Sequence, residues 1–149
     1  HRDMCIRDCC IVGHFMKNHS YLTGMMTLKN LSEIFVDKAV LATDAFTPGK
    51  GFTTEFMGNA EVKRSFLQQA RDKIMLMDAS KVRAPRFIKF GDVSDFDALV
   101  MDYDPDGKVS KAIEESGANT KLELIDDDLI VGQDVDSDIG RERTRFSEM

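Results

Sequence analysis

Acidic residues recur in this sequence where strands are expected to end, with lysines and glycines close behind them. The first case is Thr43-Asp44, leading into TPGKGFTT over 47–54. Gly49 and Gly51 permit tight backbone conformations and let a ligand approach the main chain. Lys50, Thr53 and Thr54 add a charge and two hydroxyls. Lys63 falls in the first turns of the next expected helix, so it can point back toward the same crevice, where a helix N-terminus favours an anion. The second case is Asp78, leading into Ala-Ser-Lys, where Ser80 and Lys81 can meet an anion. The third is Asp102. Carboxylates accept from sugar hydroxyls and ammonium groups meet phosphate. The chemistry such a set suits is recognition of a small phosphorylated polyol. The ordinary alternative is a plain strand-to-helix connection with solvated lysines. TPGKGFTT lacks the G-x-x-x-x-G-K-[ST] and G-x-G-x-x-G spacings, so it is not a nucleotide loop of either kind.

The segment DYDPDGKVSKAIEE over 102–115 opens as an EF-hand calcium loop does. Asp102, Asp104, Asp106, Gly107 and Ser110 fit the first nine positions of such a loop, but position 12, which needs a bidentate Glu, is Ile113. Glu114 comes one residue late, about 100° away around a helix. The apolar run DALVMD ahead of it reads as a strand, whereas an EF-hand loop follows a helix. The segment is therefore read as a strand end, a Pro-Asp-Gly turn, and a helix stopping at Gly117. No metal is expected there.

The three cysteines are Cys5, Cys9 and Cys10. With His14 and His19 they form C-x3-CC-x3-H-x4-H, a spacing that matches no common zinc module. An odd count with two adjacent is a poor disulfide framework and suits a reducing cytoplasm. Cys9 and Cys10 run into Ile11 and Val12, as buried small hydrophobes in a strand would. There is no G-x-S-x-G elbow. A Cys10–His14 pair would lack an orienting third group. No catalytic residue and no cofactor is expected.

These candidates must be positioned by an alternation of elements. CCIVG reads as a strand and MMTLKNLSEIF as an amphipathic helix with Met25, Leu28, Leu31 and Phe35 on one face. DKAVLAT is a strand, and DAFTPGKGFTTEFMG a loop. NAEVKRSFLQQARD is a helix, with Asn59 as its cap, Glu61 in its first turn, and Val62, Phe66, Leu67 and Ala70 on its apolar face. KIMLMD, RFIKFGD, ALVMD and KLELID are further strands, and SDFD a capping-box-like turn. Apolar strands alternating with helices imply an α/β fold: a Rossmann-like parallel sheet with helices on both faces, whose ligands sit beyond the strands' carboxyl ends. The domain is expected to span 1–126. The tail over 127–149, DDLIVGQDVDSDIGRERTRFSEM, is charged, with LIVG as a possible edge strand and Arg141, Arg143 and Arg145 as a small basic cluster.

The bulk numbers agree with this. The 149 residues suffice for one domain with a core, and 42% hydrophobic with 31% charged fits a globular protein. A net charge of -6 argues against the domain as a whole gripping nucleic acid. No apolar run is long enough to span a bilayer, and HRDMCIRDCC carries charges where a secretory signal would be apolar. The chain begins with His rather than Met, which suggests a piece of a longer protein.

At this point the residues carry a likeness. The run from Val36 to Val82, with Asp44, Gly51-Phe52-Thr53-Thr54, Glu61-Val62-Lys63-Arg64 and Asp78-Ala79-Ser80-Lys81, resembles the effector domain of the DeoR family of bacterial sugar-responsive transcription regulators. SDFDALVMDYD looks like that family's turn leading to a strand ending in Asp. IVGH followed by SYLTG is similar to its Gly-Gly strand end and its S-x-x-x-G segment, with His14 in place of the second glycine. The likeness covers roughly 11–126. It implies the fold of the sugar-phosphate isomerase and deaminase superfamily, used as a sensor. It further implies a phosphorylated sugar as effector, an oligomer, and operator DNA bound only through a missing N-terminal helix-turn-helix. By this resemblance Asp44 would meet sugar hydroxyls. Gly49, Gly51 and Thr53 would form the loop wall, with Asp78 beside them, and Lys63 and Lys81 would meet phosphate or acid groups. The rival of the same fold is an isomerase or deaminase, whose general base would be Asp44, Asp78 or Asp102.

Overall fold

A computed structural model describes residues 13–17 and 21–125. A small antiparallel pair, β1 (His14–Met16) and β2 (Tyr21–Thr23), leads into helix α1 (Met25–Ser32). Then follow β3 (Val36–Ala42), the hairpin of β4 (Ala45–Thr47) and β5 (Gly51–Thr54), helix α2 (Met57–Gln69) and β6 (Ala70–Leu76). The rest is β7 (Ile88–Gly91), β8 (Ala98–Met101), helix α3 (Lys108–Ser116) and β9 (Lys121–Leu124), with short 3-10 turns at Ala79–Lys81, Val93–Asp95 and Pro105–Gly107. The fold is α/β. Its main sheet is parallel and four-stranded, in the order β3-β6-β8-β9, and a three-stranded antiparallel sheet β4-β5-β7 packs beside it. No helix among the described residues is long and apolar enough to cross a membrane.

The register makes the layering plain. Leu41, Met75, Leu99 and Leu122 form one row across the parallel strands. This row faces the core, where it meets Ala60 and Leu67 of α2, Val109 and Ala112 of α3, and the rings of Phe46, Phe52, Phe90 and Phe96. Phe52 lies at the centre of the ring cluster, with centroids 4.9 Å from Phe46, 5.1 Å from Phe96 and 6.2 Å from Phe90. The next row, Ala42–Leu76–Val100–Glu123, points the other way. Helices α2 and α3 thus flank the sheet on its core face. The second covering layer expected on the opposite face is not among the described residues, and Val40 and Leu76 there are 59% and 46% exposed.

Several boundaries differ from the sequence reading. The segment 44–58 is not a loop: it contains the β4-β5 hairpin. The polar loop after Gly13 holds the β1-β2 pair. Helix α2 starts at Met57 with Phe56 in the cap position, so Asn59 is not its cap and Glu61 lies past its first turn. The cause lies upstream: the amide of Glu55 donates to the Asp44 carboxylate at 3.2 Å, turning the chain early. The helix ends at Gln69 because Ala70 and Asp72 pair with Val36 and Lys38. Helix α1 stops at Ser32, and Met25 and Phe35 are exposed, so its buried face is Thr27 and Leu31 rather than the four-residue stripe. The capping-box turn uses Asp92 and Asp95, with the Asp92 amide donating to Asp95 at 2.7 Å, two residues before the expected SDFD. β7 is a strand as read, but it joins the antiparallel sheet. Residues 9–12 of the CCIVG strand, the three cysteines, His19 and the tail over 127–149 lie outside the described residues.

Candidate functional site

The carboxyl ends of the parallel strands converge on a cleft of about 350 Å³. It is lined by Ala42 and Thr43 at the end of β3, Leu76, Met77 and Asp78 at the end of β6, Met101 and Asp102 at the end of β8, Ile125 after β9, and Lys81. This is where an open parallel sheet leaves main-chain ends and polar side chains free for a ligand.

Asp44 stands one residue beyond Thr43. Its carboxylate accepts from the Thr54 hydroxyl at 2.5 Å and the Glu55 amide at 3.2 Å. Burial pushes its carboxyl up. The Thr54 and Glu55 hydrogen bonds and the nearby charges of Lys63 and Lys81 outweigh that and hold it below the usual range. Lys63 projects from α2 to the end of β3, donating to the Ala42 carbonyl at 2.7 Å, with its ammonium 4.7 Å above the Phe90 ring. Burial pushes the Lys63 ammonium down, and Asp44 opposes this only in part. The half-buried cation therefore carries an electrostatic cost that an added anion would relieve.

Asp78 caps the Ala79–Lys81 turn by accepting from the Ser80 amide at 2.8 Å, and its hydrogen bonding with Ser80 holds its carboxyl below the usual range. Its pair with Lys81 is long, 3.9 Å. Asp102 ends β8 and accepts from the amides of Ala79 and Tyr103, both at 2.8 Å.

The structure thus brings Asp44, Lys63, Asp78 and Lys81 to one end of the sheet. It does not bring the expected glycine wall with them. Gly49 (φ +73°) is exposed at the hairpin turn, and Gly49 and Gly51 border a different cleft of about 230 Å³, shared with Asp92, Ser94, Glu115 and Ser116. Gly51 (φ +82°) is a packing glycine: a Cβ there would come within 2.5 Å of both the Gly91 carbonyl and Asp92 Oδ1. Thr53 is buried, and its hydroxyl donates to Ala45 O at 3.3 Å and accepts from the Arg86 amide at 2.9 Å. Hairpin formation turns Gly51 and Thr53 inward and leaves Gly49 on the exposed turn, which is why the three do not line the strand-end cleft together. Lys50 is exposed on the same turn.

Sequence reasoning missed Arg83. Its guanidinium donates twice to the Asp44 carbonyl, at 3.0 and 2.6 Å, across 39 positions of chain. No local spacing signals such a contact.

The D-x-D-x-D-G acids diverge, as the turn-and-helix reading requires. Asp104 accepts from the Val109 and Ser110 amides, both at 2.9 Å, and from the Ser110 hydroxyl, capping α3. Asp106 pairs with Lys108 at 2.8 Å. α3 ends on Gly117 in the left-handed conformation.

Comparison with known proteins gives a consistent result. A sequence model of the family described as the DeoR C-terminal sensor domain matches residues 3–103. Among curated proteins, the chain is similar to the HTH-type transcriptional repressor GlcR of Bacillus subtilis (strain 168), at 29% identity over 105 residues. That match covers 70% of this chain and 40% of the relative, so the chain spans under half of the relative's length.

Proposed function

This chain belongs to the DeoR C-terminal sensor domain family, and on that premise we propose that it binds a phosphorylated sugar at the strand-end cleft. Occupancy would then control DNA binding by a helix-turn-helix elsewhere in the full-length protein, through an oligomer. The observation that carries the reading is the gathering of Asp44, Lys63 and Lys81 at the carboxyl ends of the parallel strands. The relative's name, an HTH-type transcriptional repressor, supports the regulatory half. Lys63 and Lys81 would meet the phosphate, and Asp44 and Asp78 the sugar hydroxyls. Signalling requires that the ligand favour one arrangement of the protein over another.

Two of the three candidate bases weigh against the isomerase or deaminase alternative. A general base works best with a pKa near the operating pH, whereas Asp44 and Asp78 are held low. They suit accepting hydrogen bonds better than taking protons.

A thermal-shift panel of pentose and hexose phosphates tests the reading, with product analysis alongside. A ligand at about a hundred times its Kd stabilises by about 2.7 kcal/mol. A shift with one sugar phosphate and no product is the expected outcome; turnover would establish the enzyme instead. Lys81→Ala should keep the melting temperature and weaken binding about tenfold or more, the worth of a charge-assisted hydrogen bond. Unchanged affinity would remove Lys81 from the site.

A further inference from the structure

Resting on the reading of the strand-end cleft as an anion site, we propose that Asp102 is a positioning residue that holds Lys81 at that site without touching the ligand. Lys81 closes a three-residue 3-10 turn whose own hydrogen bonds are few: Lys81 N–H to Asp78 O at 3.0 Å, Val82 N–H to Ala79 O at 3.1 Å, and the Ser80 amide to the Asp78 carboxylate at 2.8 Å. Turns this short do not hold themselves. The ion pair with Asp78, at 3.9 Å and with Asp78 exposed, does not fix the lysine either.

What fixes the turn lies at its two ends. At the start, the Ala79 amide donates to the Asp102 carboxylate, tying the turn to the end of β8. At the far end, Arg83 ties it to β3 and β4. The Arg83 amide donates to Phe46 O at 3.0 Å, its guanidinium holds the Asp44 carbonyl, and its own carbonyl accepts from the Thr47 hydroxyl at 2.6 Å. The segment bearing Lys81 runs between these anchors and lines the cleft through Asp78 and Lys81. Asp102 also binds the Tyr103 amide with the same oxygen, so its carboxylate is locked to its own strand end before it receives Ala79.

Two roles for Asp102 predict different results. A residue that touches the ligand and one that acts through Lys81 both weaken binding when removed. Only the second has no effect once Lys81 is gone. The experiment uses the full-length protein, with inorganic phosphate and glucose 6-phosphate as probes in titration calorimetry, and hydrogen exchange of the peptide over 77–83. Asp102→Ala should weaken binding about tenfold and speed exchange in that peptide. In a Lys81→Ala background the same change should add nothing. Asp102→Asn keeps an acceptor oxygen and should bind and exchange like the parent; Asp102→Ser replaces the Ala variant if the latter does not fold. Losses from Asp102→Ala and Lys81→Ala that multiply would overturn the proposal, as would unchanged exchange in Asp102→Ala. If the parent binds neither probe, the anion-site reading falls, and the exchange measurement still judges whether Asp102 holds the turn.

Discussion

Asp104 resembles a cation ligand in the sequence and serves as a helix cap in the fold. Its two oxygens are spent on the first amides of α3 and on Ser110. Burial pushes the carboxyl up, but the Ser110 hydroxyl and the amides of 108–110 outweigh that, holding it below its ordinary 3.8. The folded value lies below the unfolded one, so the contribution is complete above the unfolded value and is lost as pH falls through the folded value. Asp104→Ala should cost about 1 kcal/mol near neutral pH. Denaturant melts should show the gap between parent and variant closing as pH drops below the ordinary 3.8; a gap independent of pH would refute the capping role. At this scale the sequence was legible where neighbours cooperate. Asp78-Ala79-Ser80-Lys81 is a local turn, and its acid and lysine fall where spacing put them. It was not legible where partners are remote, as with Arg83 and Asp44 or Asp102 and Ala79.

The β4-β5 hairpin shows why one element escaped the sequence reading. All four residues of β5 are buried, and Ala45 and Phe46 of β4 are fully buried too. A strand covered on both faces carries no alternation of apolar and polar positions, and two glycines with a proline alongside read as loop. The long parallel strands were easier to see, as DKAVLAT and KIMLMD, because of their aliphatic runs, although the reading placed Ala70, Arg71 and Asp72 of β6 in the preceding helix. The ends of α2 were set by tertiary contacts, the Asp44 carboxylate at one end and pairing with β3 at the other. The hairpin also depends on Gly51. Gly51→Ala would place a side chain at φ +82° and press it against the Gly91 carbonyl. We expect a loss of about 1–3 kcal/mol, read as a lower denaturation midpoint. Gly49→Ala meets nothing within 4 Å, so it should lose only the smaller backbone part of that penalty. Equal losses at the two positions would show that packing at Gly51 is not the cause.

At the scale of the molecule, the parallel sheet is covered on one side and open on the other among the described residues. Parallel sheets are ordinarily buried on both faces, and the open rows are apolar across β3, β6 and β8, Val40 with Ile74 and Ala98, then Ala42 with Leu76 and Val100, before ending on Lys121 and Glu123 of β9. Val40→Asp with Leu76→Asp should leave the melting temperature of this chain nearly unchanged, within about 0.5 kcal/mol per site, and lower its binding of a hydrophobic dye. A large loss of stability would mean that the face is covered. The fold class was legible because strand and helix signals alternate along the whole chain, while the layering was not, since nothing local says which face a helix will cover. The strand orders carry one more consequence. In both sheets, β3-β6-β8-β9 and β4-β5-β7, position in the sheet follows position in the chain. Each sheet can therefore grow at a single edge as the polypeptide is made. No described strand synthesised later has to wedge between two that have already paired.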